Sequence, residues 1–314
     1  IEAGRIIRNR AKSYDGLDYI ERAEKIAELF ATFKNPDKET VLTPWRVVNL
    51  QLSKTIGGLS YYDDEYKYMT NDGLVARHWV DIPSAKEVFS ITSKILDVET
   101  KTGLYSLYVA ASLYYQRCAR WKCDASGKFN QNILRWESSK HLDEELVLED
   151  ILQNNIYFLA NTPMAKTIAR RTLVGYKNLQ ANILYVENLS SKLKNSIAVT
   201  SREIAEGFSQ MKFDVVIGNP PYQEEARGTS TKDTPIYHLF MDAAYELADK
   251  VSLITPARFL FHAGSTPNLW NEKMLNDDHL QVRYYTQNSA EIFPNTDIKG
   301  GLAVTYRDTS KHFG

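Results

Sequence analysis

Pro220 and Pro221 follow the run Phe213-Asp214-Val215-Val216-Ile217-Gly218 with only Asn219 between. A short run rich in β-branched residues reads as a strand. Neither proline has an N–H to give to a neighbouring strand, so the chain must leave the sheet here. In a parallel sheet that exit lies at the carboxyl edge, which is where open α/β sheets bind ligands.

The rest of the chain fits such a sheet. Apolar runs recur at Ile95-Leu96, Ile156 to Leu159, Ile183 to Val186, Val215 to Ile217, Val251 to Ile254, Val282 to Tyr285 and Leu302 to Tyr306. Helix-patterned stretches at 104–117, 163–176 and 237–248 separate most of them. Strands alternating with helices imply an α/β fold: a mostly parallel seven-stranded sheet with helices on both faces. The last two runs have no helix between them, which predicts an antiparallel pair at the sheet edge, with an antiparallel edge strand.

Upstream, Ile20, Ala23, Ile26, Ala27, Leu29, Phe30 and Phe33 mark an amphipathic helix within 17–34. Thr43-Pro44 reads as an N-cap and first-turn proline for a second helix, stopped by Gly57-Gly58. The expected division is an N-terminal helical segment over 1–58, a loop or insertion over 59–90, and the α/β core over 91–314.

Composition narrows the setting. No apolar run is long enough to span a bilayer and no signal-peptide pattern opens the chain, so no membrane association is expected. Cys118 and Cys123 are the two cysteines of 314 residues, which points to structural thiols in a reducing cytoplasm. No His or Cys cluster accompanies them, so no metal is expected. The net charge of −1 decides nothing about nucleic acid, which needs a local basic face. Arg5, Arg8, Arg10 and Lys12, and Lys166, Arg170 and Arg171, are basic groups of that kind. The chain opens on Ile1 and stops just after a strand-like run, as expected of a piece of a longer polypeptide.

The proline exit carries chemistry as well as topology. The Asn219 amide oxygen and the Pro220 carbonyl are two acceptors on a stiff backbone. Together they can take both hydrogens of an amino group and aim its nitrogen lone pair outward. Tyr222 offers a flat face on which a base can stack.

Asn219-Pro220-Pro221-Tyr222 after a strand resembles motif IV of the amino-DNA methyltransferases, in the adenine-N6 branch. The motif order resembles the gamma class, and the likeness to the methylase portion of large single-chain restriction–modification enzymes covers about residues 40–308. The resemblance implies a Rossmann-like methyltransferase fold, S-adenosyl-L-methionine as methyl donor, and double-stranded DNA whose target base is flipped out. It also implies target-recognition and nuclease or translocase parts elsewhere in the same polypeptide. It assigns catalysis to Asn219, Pro220, Pro221 and Tyr222, and stacking of the base to Tyr222 and Phe293, the latter from Glu291-Ile292-Phe293-Pro294.

On the cofactor side the resemblance selects Asp97 and Gly103 in Ile95-Leu96-Asp97-Val98-Glu99-Thr100-Lys101-Thr102-Gly103, where Val98 and Lys101 replace the family's proline and a glycine. It adds Thr43 for the amino-acid moiety, and Glu187 and Asn188 for the adenine. Ala160 stands where a ribose-binding acid belongs, which leaves that contact to Asn161. The polar loop Gln223 to Asp233 is a candidate to order on DNA. Related tetrapeptides also serve enzymes that methylate protein glutamine or RNA, and a degenerate methylase fold that only binds DNA is a further alternative.

Overall fold

The computed structural model describes residues 2–33, 42–71, 73–119, 144–210, 212–224, 234–294 and 296–314. Cys123 and positions 225–233 of the polar loop lie outside the described residues.

One sheet organises the chain. Its strands are β1 (Ile95–Thr100), β2 (Ile156–Ala160), β3 (Asn182–Tyr185), β4 (Phe213–Gly218), β5 (Ala248–Pro256), β6 (Leu280–Thr286) and β7 (Leu302–Asp308). The order across the sheet is β6-β7-β5-β4-β1-β2-β3. Strands β3, β2, β1, β4 and β5 are mutually parallel. β7 runs antiparallel to both β5 and β6. The expected antiparallel pair thus occupies the edge, but β6 is the outermost strand and the reversed strand, β7, lies one place in. Among the described residues, the helical structure in the link between them is the short 3-10 turn Ser289–Glu291. Without a crossover helix the chain returns antiparallel.

Every residue of β1 and β2 is buried. Such strands read as continuous apolar runs because both faces of the sheet are covered. Alternate side chains enter two separate cores. Ile95, Phe158, Val215 and Ile217 face helices α2 (Tyr19–Ala31), α3 (Trp45–Thr55), α4 (Leu104–Tyr114), α5 (Glu144–Asn154) and α6 (Pro163–Val174). Leu96, Leu159, Val216 and Leu253 face α7 (Leu189–Asn195), α8 (Ile197–Gly207), α9 (Tyr237–Leu247) and α10 (Asn268–Leu275). A further helix, Glu2–Ser13, precedes α2.

The N-terminal helices share the first of these cores. Asp18 caps α2, accepting from Ile20 N at 2.9 Å. Buried Arg22 of α2 donates to the Thr172 and Arg171 carbonyls at the C-terminal end of α6, at 2.8 and 3.0 Å, and to Asp15 at 3.0 Å. A cation on the terminal carbonyls of a helix satisfies acceptors that have no partner within the helix.

Residues 58–90 hold more order than their pattern suggests. Gly58–Ser60 pairs with His78–Val80, and Thr70–Asn71 with Leu74–Val75, both antiparallel. Strands of two or three residues are too short to show a period. Tyr61, fully buried, donates to the Ile20 carbonyl at 3.1 Å and holds this segment against α2.

Candidate active site

β4 ends on Gly218, whose φ is +152°. A Cβ there would lie 2.6 Å from the Val98 carbonyl oxygen of β1. Glycine is required, because the two strands approach at the point where the chain turns out of the sheet. Asn219 and Pro220 are buried just beyond this exit, and Pro221 and Tyr222 are half-buried.

A cavity of about 1140 Å³ opens at this carboxyl edge. Asn219 to Tyr222 form one wall, and Lys101, Thr102 and Leu104 bring in the turn after β1. Thr43 to Arg46 line it from the start of α3, and Phe293 and Pro294 from the β6–β7 link. The volume exceeds that of an ordinary small-ligand pocket, typically about 300–1,000 Å³.

Thr43 does not cap α3 as expected. Pro44 holds the N-cap position, and no side chain caps this end. The Thr43 hydroxyl oxygen instead accepts from Asn219 Nδ2 at 3.0 Å. Two residues selected separately from the sequence are therefore in contact. The other atom of the amide, Asn219 Oδ1, is buried with no hydrogen-bond partner. An unpaired buried acceptor costs about 1–3 kcal/mol, which a donor entering the cavity would recover.

The Tyr222 hydroxyl stands beside the same amide, buried and without a partner of hydrogen-bonding geometry. Burial holds it well above the usual tyrosine range, so it stays neutral. Phe293 is almost fully buried in an apolar cluster with Ile254, Leu302 and Val304, and Tyr222 packs against that cluster. Both aromatic residues line the cavity.

Beneath this site lies a network the sequence did not single out. Gln51 of α3 is fully buried. Its Nε2 donates to the carbonyls of Gly218 in β4 and Ser252 in β5, at 3.1 and 3.0 Å. Its Oε1 accepts from the Tyr105 hydroxyl at 2.5 Å. The available signal was a glutamine between Leu50 and Leu52 in a helix that is buried on every side.

The turn after β1 carries two buried carboxyl groups. Asp97 Oδ2 accepts from Ser106 Oγ at 2.8 Å, while Oδ1 is buried without a partner. Burial pushes the Asp97 carboxyl up to about 7, against the opposing hydrogen bonds of Ser106 and Thr100. Glu99, also missed, is buried at a positive φ of 58°. Burial pushes its carboxyl up to about 7 as well, opposed by Lys101 and by a hydrogen bond with Asn161. Asn161 is thus brought to the β1 turn by Glu99. Gly103 has φ +79°, and a Cβ there would lie 2.9 Å from Ala169 Cα. The packing of α6 requires this glycine even without a ligand.

Asp97, Gly103 and Asn161 do not line the cavity. Glu187 and Asn188 are exposed at the end of β3 and do not line it either. Arg5, Arg8, Arg10, Lys12 and Lys166 are exposed, whereas Arg170 and Arg171 donate to the Leu179 and Gly175 carbonyls. None of these basic groups lines the cavity. Among the described residues, Asp278, His279 and His312 have the spacing of metal ligands. They sit at the opposite edge of the sheet, closed by an Asp278–His312 hydrogen bond of 2.7 Å. Among the described residues no helix is long and apolar enough to cross a membrane.

Residues 154–293 match the model of a family described as Eco57I restriction-modification methylase. Over this stretch the chain resembles restriction–modification methylases. An uncharacterized adenine-specific methylase of Mycoplasma pneumoniae is 34% identical over 100 residues, a match covering 30% of this chain and 23% of that protein. A nuclease-deletion mutant of the Type ISP restriction-modification enzyme LlaGI, in complex with a DNA substrate mimic, superposes with a TM-score of 0.52 at 12% identity. That likeness covers 95% of this chain and 25% of LlaGI. The type I restriction-modification methyltransferase subunit of Streptococcus thermophilus gives a TM-score of 0.50 at 12% identity, over 94% of this chain and 50% of the subunit. The chain thus spans half or less of the length of these proteins. The family resemblance and the Rossmann-like methyltransferase fold read from the sequence are both borne out.

Proposed function

We propose that this methylase transfers a methyl group from S-adenosyl-L-methionine to the exocyclic N6 amine of adenine in double-stranded DNA. It acts in the cytoplasm as the modification part of a restriction–modification enzyme whose recognition and nuclease or translocase parts lie in the same longer polypeptide. The observation that carries this reading is Asn219 Oδ1, a buried acceptor with no partner on the wall of a cavity wide enough for a base.

Adenine is recognised by what the wall lacks. Asn219 Oδ1 and the Pro220 carbonyl accept the two amine hydrogens, which turns the nitrogen lone pair toward the β1 side of the cavity. Pro221 stiffens the exit, and Tyr222 and Phe293 close on the faces of the flipped ring. As charge builds on nitrogen, the two fixed acceptors stabilise it without reorganising. No covalent link to the protein is required.

The β1 turn suits the donor's chemistry: Asp97 Oδ1 is a second buried acceptor without a partner. Asp97, Gly103 and Thr43 would hold the cofactor there, with Asn161 and Glu99 at its ribose and Glu187 and Asn188 further along the same edge at its adenine. When bound, S-adenosyl-L-methionine supplies an electrophilic methyl carbon.

The test uses the full-length protein, unmethylated phage DNA and isotopically labelled S-adenosyl-L-methionine, with nucleosides resolved by mass spectrometry. Label should appear in N6-methyladenine. Asn219→Ala should lower kcat by about 100-fold or more, the loss typical of removing one preorganised hydrogen-bonding group, with cofactor affinity retained. Label in RNA or protein glutamine in place of DNA would refute the substrate. Near-normal turnover of Asn219→Ala would refute the site. Absence of cofactor binding by calorimetry would identify a degenerate fold.

A further inference from the structure

An amide side chain has an acceptor end and a donor end, and only one of them serves an amino group. If Asn219 turned its NH₂ to the cavity, it would meet the substrate donor to donor. We infer that Gln51, Tyr105 and Thr43 form a polarity relay that fixes the Asn219 amide with its oxygen toward the cavity, making Thr43 a positioning residue for methyl transfer. The inference rests on the reading of Asn219 proposed above.

The relay starts from groups whose roles admit no choice. The carbonyls of Gly218 and Ser252 can only accept, so the Gln51 atom 3.1 and 3.0 Å from them must be its nitrogen. Its oxygen therefore faces Tyr105, 2.5 Å away, and an amide oxygen can only accept. The Tyr105 hydrogen is committed to Gln51, which leaves only lone pairs on the Tyr105 oxygen. The Thr43 side chain is a hydrogen-bonding neighbour of that oxygen, and because the oxygen offers only lone pairs, the Thr43 hydroxyl is the donor. With its hydrogen given to Tyr105, Thr43 Oγ1 can only accept, and it accepts from Asn219 Nδ2 at 3.0 Å. Asn219 Oδ1 is left to the cavity, and it is the amide atom without a partner. Every member except Thr43 and Asn219 is separated from the cavity wall, and all are buried.

Thr43 also borders the region proposed for the cofactor, so the experiment must separate two roles. Thr43→Val keeps the shape and removes the hydroxyl, and Thr43→Ser keeps the hydroxyl. In the labelled transfer assay on phage DNA, Thr43→Val should lower kcat by roughly 10- to 100-fold, the scale of one charge-bearing hydrogen bond. KM and the calorimetric Kd for S-adenosyl-L-methionine, measured alongside, report the separate cofactor role of Thr43, and the relay requires kcat to fall whatever the change in Kd. Thr43→Ser should restore kcat. If Thr43→Val does not fold, as judged by circular dichroism, Tyr105→Phe removes the next link and should lower kcat in the same way.

Unchanged kcat in the folded member of this pair, with Asn219→Ala inactive, overturns the relay and leaves the proposed function standing. A raised KM and Kd with unchanged kcat also overturns it, by assigning Thr43 to the cofactor alone. An active Asn219→Ala overturns the function from which the relay is argued, and with it the relay.

Discussion

Gly218→Ala perturbs the exit from β4 without removing a polar group. The residue has φ +152°, where a side chain costs about 1–3 kcal/mol of backbone strain. The new methyl would lie 2.6 Å from the Val98 carbonyl oxygen and 3.1 Å from Val98 Cγ2, whereas ordinary contact begins near 3.4 Å. Val98 is the register partner of Gly218 in the parallel β1–β4 pair, so relief requires two central strands to part. Such overpacking adds about 1–3 kcal/mol, for a combined loss of roughly 2–6 kcal/mol. In a chain of this size each kcal/mol is about 2–4 °C, so Tm should fall by roughly 10 °C. The chain that moves is the one that carries Asn219 into the cavity. A displacement approaching 1 Å costs about 100-fold in rate, so kcat should drop well beyond the unfolded fraction at the assay temperature. Thermal melts by circular dichroism, paired with the labelled transfer assay, measure both. A Tm within about 2 °C of wild type would refute the steric argument. A large Tm loss with wild-type kcat would refute the link between the strand gap and the amide.

Two more perturbations test the layers beneath. The Asp97 carboxyl rises from an ordinary 3.8 to about 7 on burial, so between these pH values the unfolded chain ionises while the folded one keeps its proton. The stability contributed by Asp97 is therefore full at low pH and falls across that window. Asp97→Asn should flatten the dependence of Tm on pH, with Glu99 retaining part of the slope; superimposable profiles would refute this. Gln51→Leu keeps the volume but strips partners from the Gly218 and Ser252 carbonyls and the Tyr105 hydroxyl. At about 1–3 kcal/mol per buried unpaired group, urea melts should show a loss of about 3 kcal/mol or more, and an unchanged midpoint would count against the network.

What was legible in the sequence follows from where each element sits. β1, β2 and β4 announced themselves because burial on both faces leaves an unbroken apolar run. The exit after β4 was legible because two prolines forbid a ladder. The segment over 58–90 was not, since its pairs span two or three residues and its order comes from contacts such as Tyr61 on Ile20. The site divided in the same way. Asn219 and Thr43 could each be selected by local pattern, but their hydrogen bond spans 176 positions of sequence. Gln51 reaches partners 167 and 201 positions away, and nothing in its neighbourhood encodes them. Glu99 was read as one residue of a turn, because burial, not sequence spacing, is what gives its carboxyl an unusual proton affinity.

These long-range contacts change the standing of the N-terminal helices. By pattern they precede the α/β core, and a boundary at residue 58 looks natural. By contact they supply the site from beneath. α3 carries Gln51 under the ends of β4 and β5, and its lead-in carries Thr43 to the Asn219 amide. The acceptor that faces the cavity and one aromatic residue, Tyr222, come from the exit after β4, the groups that orient the acceptor come from the segment around α3 and from α4, and the second aromatic residue, Phe293, comes from the β6–β7 link. A parallel sheet can present such an acceptor at its rim, but it cannot choose which end of an amide points outward. That choice needs buried partners of fixed polarity, and in this chain they arrive from outside the sheet.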